Sequence, residues 1–261
     1  MSSPMSSEGT GARRARIIGK GWIQGVALVM LFGFTVMGLL AYRTYTNSMP
    51  QPSRVVAEDG SVVFTTEDIT AGQQLFQSRG LMEYGSIVGH GGYLGPDFTA
   101  EYLRMEADSV SAQLAGEGNG DPATATKAML RANRYDAASG ELVWTPEQVT
   151  AYEQAVEHYT AMFGPDAAAN GLKPDLITDP AQVRQVTAFI GWTAWASAAE
   201  RPGHDYSYTN NWPAESRVGN SPTGDLMIWS VLSLIVLIGG TGIMFAIYGR
   251  WSRRIGWRSE E

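Results

Sequence analysis

Two uncharged apolar stretches constrain the fold of this 261-residue chain more than any other feature. The first covers residues 21–42, the second covers residues 226–248, and neither contains Asp, Glu, Lys, Arg or His. About 20 apolar residues cross the hydrocarbon core of a bilayer as a helix, so each stretch is long enough to span it. The sequence therefore predicts two transmembrane helices. Because no Ala-x-Ala cleavage site follows the first, we expect it to be an uncleaved anchor.

Basic residues flank both apolar stretches on their outer sides. They are Arg13, Arg14, Arg16 and Lys20 before the first, and Arg250, Arg253, Arg254 and Arg258 after the second. By the positive-inside rule, both termini are predicted to be cytoplasmic and the middle of the chain extracytoplasmic, in the plasma (inner) membrane. The predicted order is a disordered cytoplasmic tail (1–20), a transmembrane helix (21–43), an extracytoplasmic domain (44–224), a transmembrane helix (225–249) and a basic cytoplasmic tail (250–261).

Composition excludes several classes of function. Residues 44–224 contain 10 basic and 22 acidic residues, and such an acidic domain is a poor nucleic-acid binder because phosphate contacts need Lys and Arg. Cysteine is absent from the chain, which excludes disulfides, thiolate zinc sites, iron–sulfur clusters, covalent haem c and a cysteine nucleophile. No serine-hydrolase elbow, P-loop or zincin motif is present. We therefore predict no catalytic residues in this chain.

The segment between the spans is predicted to be mainly α-helical, with one small β-hairpin at Asp59-Gly60, where two Val-rich runs meet. A helix is expected from Thr66 or Glu67 to Gly80. Further helices are expected after four capping residues, three of which precede a proline that suits the first helical position. The caps are Asp97, Asp121, Thr145 and Asp179. Gln148 completes a capping box with Thr145.

The helix after Asp179 allows two interpretations. Residues 186–199 are apolar almost all round, but 14 residues are too few to span a bilayer. The helix is either the core of the domain or a surface against a membrane partner. Residues 201–224 have no periodicity and are rich in Pro, Gly, Asn and Tyr, which predicts a long ordered loop or a linker.

Residues 80–99 contain a haem-attachment pattern without its ligands. Laid over Cys-x-x-Cys-His, Leu81 and Tyr84 stand at the cysteine positions and Gly85 stands at the histidine position. The following loop, from Gly89 to Asp97, is either a glycine-rich turn before a capped helix or a carbonyl-rich surface for a hard cation such as Ca²⁺. The three histidines, His90, His158 and His204, have no metal-pair spacing; His90 is expected to be a structural or surface residue, and His204 is expected to form hydrogen bonds within a loop.

Two long runs resemble quinol-dependent nitric oxide reductase. The first is GQQLF at residues 72–76 with GLMEYGSIVGHGGYLGPDFTAEY at residues 80–102. The second is WASAAERPG at residues 195–203, with YTNNWP at 208–213, GNSPT at 219–223 and the apolar run from Ile228. The resemblance covers the chain from about residue 20 onward, and it is specific because the runs are long.

The resemblance implies a fold and a role. In that family an anchor helix, a haem-free cytochrome c-like domain and a second helix precede a twelve-helix core of the haem-copper oxidase superfamily, which serves denitrification. That core holds two b-type haems and a non-haem iron, and it takes electrons from quinol. Because this chain ends at Glu261, we expect the core to be a separate catalytic membrane subunit. No cofactor is expected on this chain alone.

The resemblance also implies one shared site. In the related haem c subunit, the loop that matches Gly91 and Tyr93 approaches a Ca²⁺ at the boundary with the core. Gly91 and Tyr93 are therefore expected to supply half of a calcium site, and the partner is expected to supply the rest.

Two other functions remain open from the sequence. The same subunit architecture would serve a nitric oxide dismutase or an oxygen-reducing relative, because the residues that distinguish these enzymes lie in the core. A two-span receptor or sensor ectodomain is the third possibility. It is disfavoured because about a dozen residues after Tyr248 are too few for a signalling fold.

Overall fold

A computed structural model describes residues 20–118, 120–251 and 254. Most of the two predicted tails, residues 1–19, 252–253 and 255–261, therefore lies outside the described residues. The chain divides into two compact units: Met1–Thr46 with Trp229–Glu261, and Asn47–Ile228. We call the second unit the central domain.

Helices dominate the described residues, and short strands interrupt them. In chain order the elements are α1 (Lys20–Thr46), β1 (Arg54–Ala57), β2 (Val62–Thr65), α2 (Thr66–Ser78), α3 (Leu81–Tyr84), β3 (Ser86–Ile87), β4 (His90–Gly91), α4 (Phe98–Glu117), α5 (Pro122–Arg131), β5 (Tyr135–Asp136), β6 (Glu141–Trp144), α6 (Pro146–Phe163), α7 (Pro180–Ala198) and α8 (Gly224–Trp251).

The first and last helices are long and apolar enough to cross a membrane, and no part of their apolar windows is buried in the protein. Within their unit, the ring of Trp22 on α1 lies 6.5 Å from that of Tyr248 on α8, in an edge-to-face arrangement. Apolar side chains that face outward along a whole helix are typical of a lipid environment. The predicted fold class is confirmed: the chain is mainly helical, with two candidate membrane helices flanking a central domain that carries small β elements.

The predicted hairpin is part of a larger sheet. Strands β1 and β2 pair antiparallel around a turn at Gly60 (φ 85°), as the Asp-Gly signal predicts. The sheet has the order β2-β1-β6-β5, with β6 parallel to β1 and Val55 opposite Leu142. Strands β5 and β6 were not predicted, because β5 has only two residues and no Asp-Gly or Asn-Gly turn joins it to β6.

The predicted helix caps are confirmed. The side chains of Asp97, Asp121 and Asp179 each accept a hydrogen bond from a main-chain N–H in the first turn of α4, α5 and α7. Thr145 caps α6, and the reciprocal bond from Gln148 completes the capping box. These bonds satisfy N–H groups that a helix leaves unpaired at its start, so local sequence decides where each helix begins.

Helix α7 is the core helix of the central domain. From Val186 to Ala198 every residue is buried except Trp192, which donates a hydrogen bond from Nε1 to Pro50 O (3.0 Å). Helix α2 approaches α7 so closely that a Cβ at Gly72 would lie 1.9 Å from Gln185 O. Of the two interpretations of this apolar segment, the core helix is correct.

The loop between α7 and α8 is fixed to the central domain by hydrogen bonds. Arg131 on α5 binds the Glu200 carboxylate through Nε (2.9 Å) and the Asp205 carbonyl through an Nη (2.8 Å). Further along, Asn220 donates from Nδ2 to Ser197 O (2.8 Å), and Val218 is fully buried. The segment 201–223 is therefore an ordered loop and not a free linker.

Candidate functional site

The segment 80–99 packs against the hydrophobic core of the central domain through Leu81 and Phe98. After α2 the chain reverses at Gly80 (φ 73°) and forms the single turn α3, which is followed by the two-residue hairpin β3–β4. The three positions of the haem pattern lie in this turn. The Leu81 side chain is fully buried, Tyr84 is half-buried, and Gly85 caps α3.

Aromatic rings fill the space beside the haem-pattern positions. The Phe98 ring is fully buried and lies 5.3 Å from the ring of Phe76, 6.0 Å from Tyr159 and 6.4 Å from Tyr84, measured between centroids. A Cβ at Gly85 would lie 2.6 Å from Phe98 Cε2. The volume next to this turn is therefore occupied by packed side chains of the protein itself.

The glycines of the loop are required by close approaches between main-chain segments. A Cβ at Gly91 (φ 143°) would lie 2.3 Å from Gly85 O, and one at Gly92 would lie 2.1 Å from Glu83 O. The N–H of Gly92 donates to both Met82 O (2.7 Å) and Gly85 O (2.9 Å). Any side chain at these positions would push the loop away from α3, so the glycines hold the loop against that helix.

Asp97 and Trp212 fix the base of the loop. One carboxylate oxygen of Asp97 accepts from Gly89 N (2.6 Å) and from Ser86 Oγ (2.8 Å), while the other caps α4. The Trp212 indole donates from Nε1 to Val88 O (3.1 Å). The glycine loop is therefore attached both to its own helix and to the loop that follows α7.

The tip of this anchored loop is exposed and apolar. Tyr93 is 90% exposed and Leu94 is 86% exposed. Met82 and Trp212, each 40% exposed, contact the same loop through Gly92 and Gly89. Among the described residues between the two membrane helices, the large exposed hydrophobic side chains are these four and Val62. We call Met82, Tyr93, Leu94 and Trp212 the apolar patch. Clustered exposed apolar groups mark interaction surfaces.

The predicted site residues lie in this loop, but the histidines do not meet there. Gly91 and Tyr93 are both exposed at its outer edge, and His90 Nδ1 lies 3.0 Å from Val88 O. His158 lies on α6 and His204 lies in the loop after α7. Among the described residues, no group of three His, Asp or Glu side chains is placed to hold a metal ion. The half-site at Gly91 and Tyr93 remains a prediction.

A polar cluster that was not predicted lies beside the loop. His158 Nε2 lies 3.6 Å from Glu101 Oε1, and the buried Tyr159 hydroxyl donates to Glu101 Oε2 (3.2 Å). The Glu101 carboxylate raises the pKa of His158, and burial raises the pKa of Tyr159. Glu101 and His158 line a groove of about 180 Å³ next to Tyr84. They come from different helices, so no local motif indicates their pairing.

Comparison with known proteins identifies one family. Residues 52–214 match the family model of the cytochrome c-like domain of NorB, a nitric oxide reductase component. The match covers more than half of the chain and includes the glycine loop, Trp212 and the core helices. No curated protein sequence matches the chain.

Proposed function

The chain belongs to the NorB family of nitric oxide reductase components through its cytochrome c-like domain, and we propose that it is a non-catalytic membrane component of a quinol-type nitric oxide reductase. The partner would be a multi-helix catalytic subunit with b-type haems and non-haem iron. That subunit would combine two NO with two protons and two quinol-derived electrons to give N₂O and water. This chain would cover the outer face of the partner and pack two helices against it.

The apolar patch is the observation that best supports a docking role for this chain. Among the described residues, four of the five large hydrophobic side chains exposed between the membrane helices belong to it. The loop beneath them is fixed by Asp97, Trp212 and the glycine contacts. A rigid loop loses little conformational entropy on binding, and exposed aromatic and aliphatic side chains at its tip provide buried area in a complex. This geometry suits a preformed docking surface.

The packing of the core supports a structural and not a redox role. The chain has no cysteine for covalent haem attachment. The rings of Phe76, Phe98 and Tyr159 pack beside Tyr84, one of the positions that match the haem-attachment pattern. The domain therefore fills the space on this side of Tyr84 with its own side chains.

The charge distribution supports an orientation with the central domain on the extracytoplasmic side. Residues 44–224 have more than twice as many acidic as basic residues. The segment before the first apolar stretch and the segment after the second are rich in Arg. Basic flanks are retained in the cytoplasm, and a long loop between two spans is translocated largely regardless of its charge.

The exposed loop also suits the proposed calcium half-site. Ca²⁺ takes six to eight oxygen ligands, including main-chain carbonyls, and Gly91 and Tyr93 are both exposed residues of a glycine-rich loop. Both oxygens of Asp97 already accept hydrogen bonds, one from Ser86 Oγ and Gly89 N, and the other from Ala100 N in the first turn of α4. The remaining ligands would come from the partner, so we expect this chain alone to bind Ca²⁺ weakly.

The docking role is tested by Leu94→Asp, which places a charge on a highly exposed residue of the apolar patch. Burying an unpaired carboxylate in an interface is costly. We expect the variant to capture at least about tenfold less haem-bearing partner than wild type when the tagged chain is purified from membranes. Val62→Asp is the matched control, because Val62 is 53% exposed on β2, at the edge of the sheet. Unchanged capture by Leu94→Asp, with folding intact, would exclude the patch as the docking surface.

A further inference from the structure

The interface between α4 and α6 buries a carboxyl group that the docking role does not use. Glu106 on α4 is 3% exposed, and its carboxyl accepts a hydrogen bond from Gln148 Nε2 (3.0 Å). A carboxylate buried with one neutral donor pays a large desolvation cost, whereas the protonated acid pays much less. The geometry of this interface therefore favours the protonated acid.

The partner of Glu106 is part of a helix cap. The side-chain oxygen of Gln148 accepts from Thr145 N (3.4 Å), and its main-chain N–H donates to Thr145 Oγ1 (3.4 Å). The same side-chain amide thus binds Glu106 on one side and completes the start of α6 on the other. Any movement of Glu106 acts directly on the first turn of α6.

Among the described residues, no basic side chain compensates a charge on Glu106. The basic residues of the surrounding helices and loops have other partners or are exposed: Arg104 with Glu215, Arg131 with Glu200, Arg184 with Glu153, Arg217 with Asp108, Arg134 with Met129 O, and Lys127 at the surface. One turn before Glu106 on the same helix, the buried Tyr102 hydroxyl has no hydrogen-bond partner within the described part of the chain.

These surroundings determine the protonation of Glu106. Burial raises its pKa to about 7, and the hydrogen bond from Gln148 opposes that rise. The N-terminal dipole of α6 also favours the ionised form, but an effect of that kind is smaller than the desolvation of a fully buried carboxyl.

We propose that Glu106 is a proton-operated latch between α4 and α6. Gln148 can donate to the carboxyl in either protonation state, so the latch depends on the buried charge: while Glu106 is protonated, the interface stays closed and the capping box is complete. When it is ionised, the buried charge is relieved only if water reaches the interface, and the first turn of α6 loosens.

Hydrogen exchange on the detergent-solubilised full chain tests this latch. The folded state binds the proton more tightly than the opened state, so protection of the first turn of α6 is lost as pH rises through 7. After correction for intrinsic exchange rates, we expect protection there to fall about tenfold between about pH 6 and about pH 8.5. Glu106→Gln should remove this pH response. Glu157→Gln, at an exposed position on the same helix, should retain it.

A second measurement covers the case in which Glu106→Gln does not fold. The infrared band of a protonated carboxylic acid in the wild-type chain should titrate with a midpoint near neutral pH. Two results would overturn the proposal: equal protection of α6 at both pH values in wild type, or a carboxylic acid band that disappears at the pH of an ordinary glutamate.

Discussion

Phe98→Ala is expected to lower the free energy of unfolding of the central domain by about 3–5 kcal/mol, because it removes the fully buried ring at the centre of the aromatic cluster. Phe76, Tyr84, Tyr159 and Phe163 all have ring centroids within 6.4 Å of Phe98. A cavity among several rigid rings cannot close without moving helices. For a domain of this size, the loss corresponds to a fall in Tm of roughly 10 °C, measurable by thermal denaturation of the purified chain.

Tyr93→Ala is the control for this experiment. It removes an aromatic ring that is 90% exposed, so its effect on stability should be within about 0.5 kcal/mol. If Phe98→Ala and Tyr93→Ala lowered the free energy of unfolding equally, the Phe98 ring would not be central to the packing of the core. The space beside Leu81 and Tyr84 would then be loosely filled.

Gly72→Ala is expected to lower the free energy of unfolding by about 3 kcal/mol, nearly as much as Phe98→Ala but for a different reason. The added Cβ would lie 1.9 Å from Gln185 O, which is a main-chain atom of the core helix and cannot rotate away. Relief requires α2 and α7 to separate along their contact. Chemical denaturation of the full chain in detergent measures the loss as a lower midpoint with an unchanged slope.

Gly116→Ala provides the matched comparison within a helix. Gly116 lies in α4 with no heavy atom within 4 Å of an added Cβ, so alanine should be neutral or stabilising by up to about 1 kcal/mol. A loss at Gly116 as large as that at Gly72 would show that the contact between α2 and α7 does not determine the cost, because alanine has the higher helix propensity and meets no neighbouring atom at Gly116.

Sequence signals that act locally predicted the fold well. The capping residues at Asp97, Asp121, Thr145 and Asp179 each marked the start of a helix, because a cap depends on residues within one turn. The hairpin was predicted from its Asp-Gly turn for the same reason. The core role of α7 was left open, because an apolar helix looks the same against a domain core and against a partner.

Features that depend on contacts between distant segments were not predicted. The parallel pairing of β1 with β6, the pair Glu101–His158 and the bond from Gln148 to Glu106 each join residues that are far apart in the sequence. The position of the glycine loop was predicted, but its attachment through Trp212 was not. The reason is the same, because Trp212 lies 124 residues away from the carbonyl that it binds.

The most direct test of the proposed role is purification of an affinity-tagged full chain from the membranes of its native host in mild detergent. We expect a multi-helix partner in the purified material, b-type haem in its optical spectrum, and consumption of NO when quinol is added. A chain that runs alone, without haem and without NO reduction, would contradict the role of a nitric oxide reductase component.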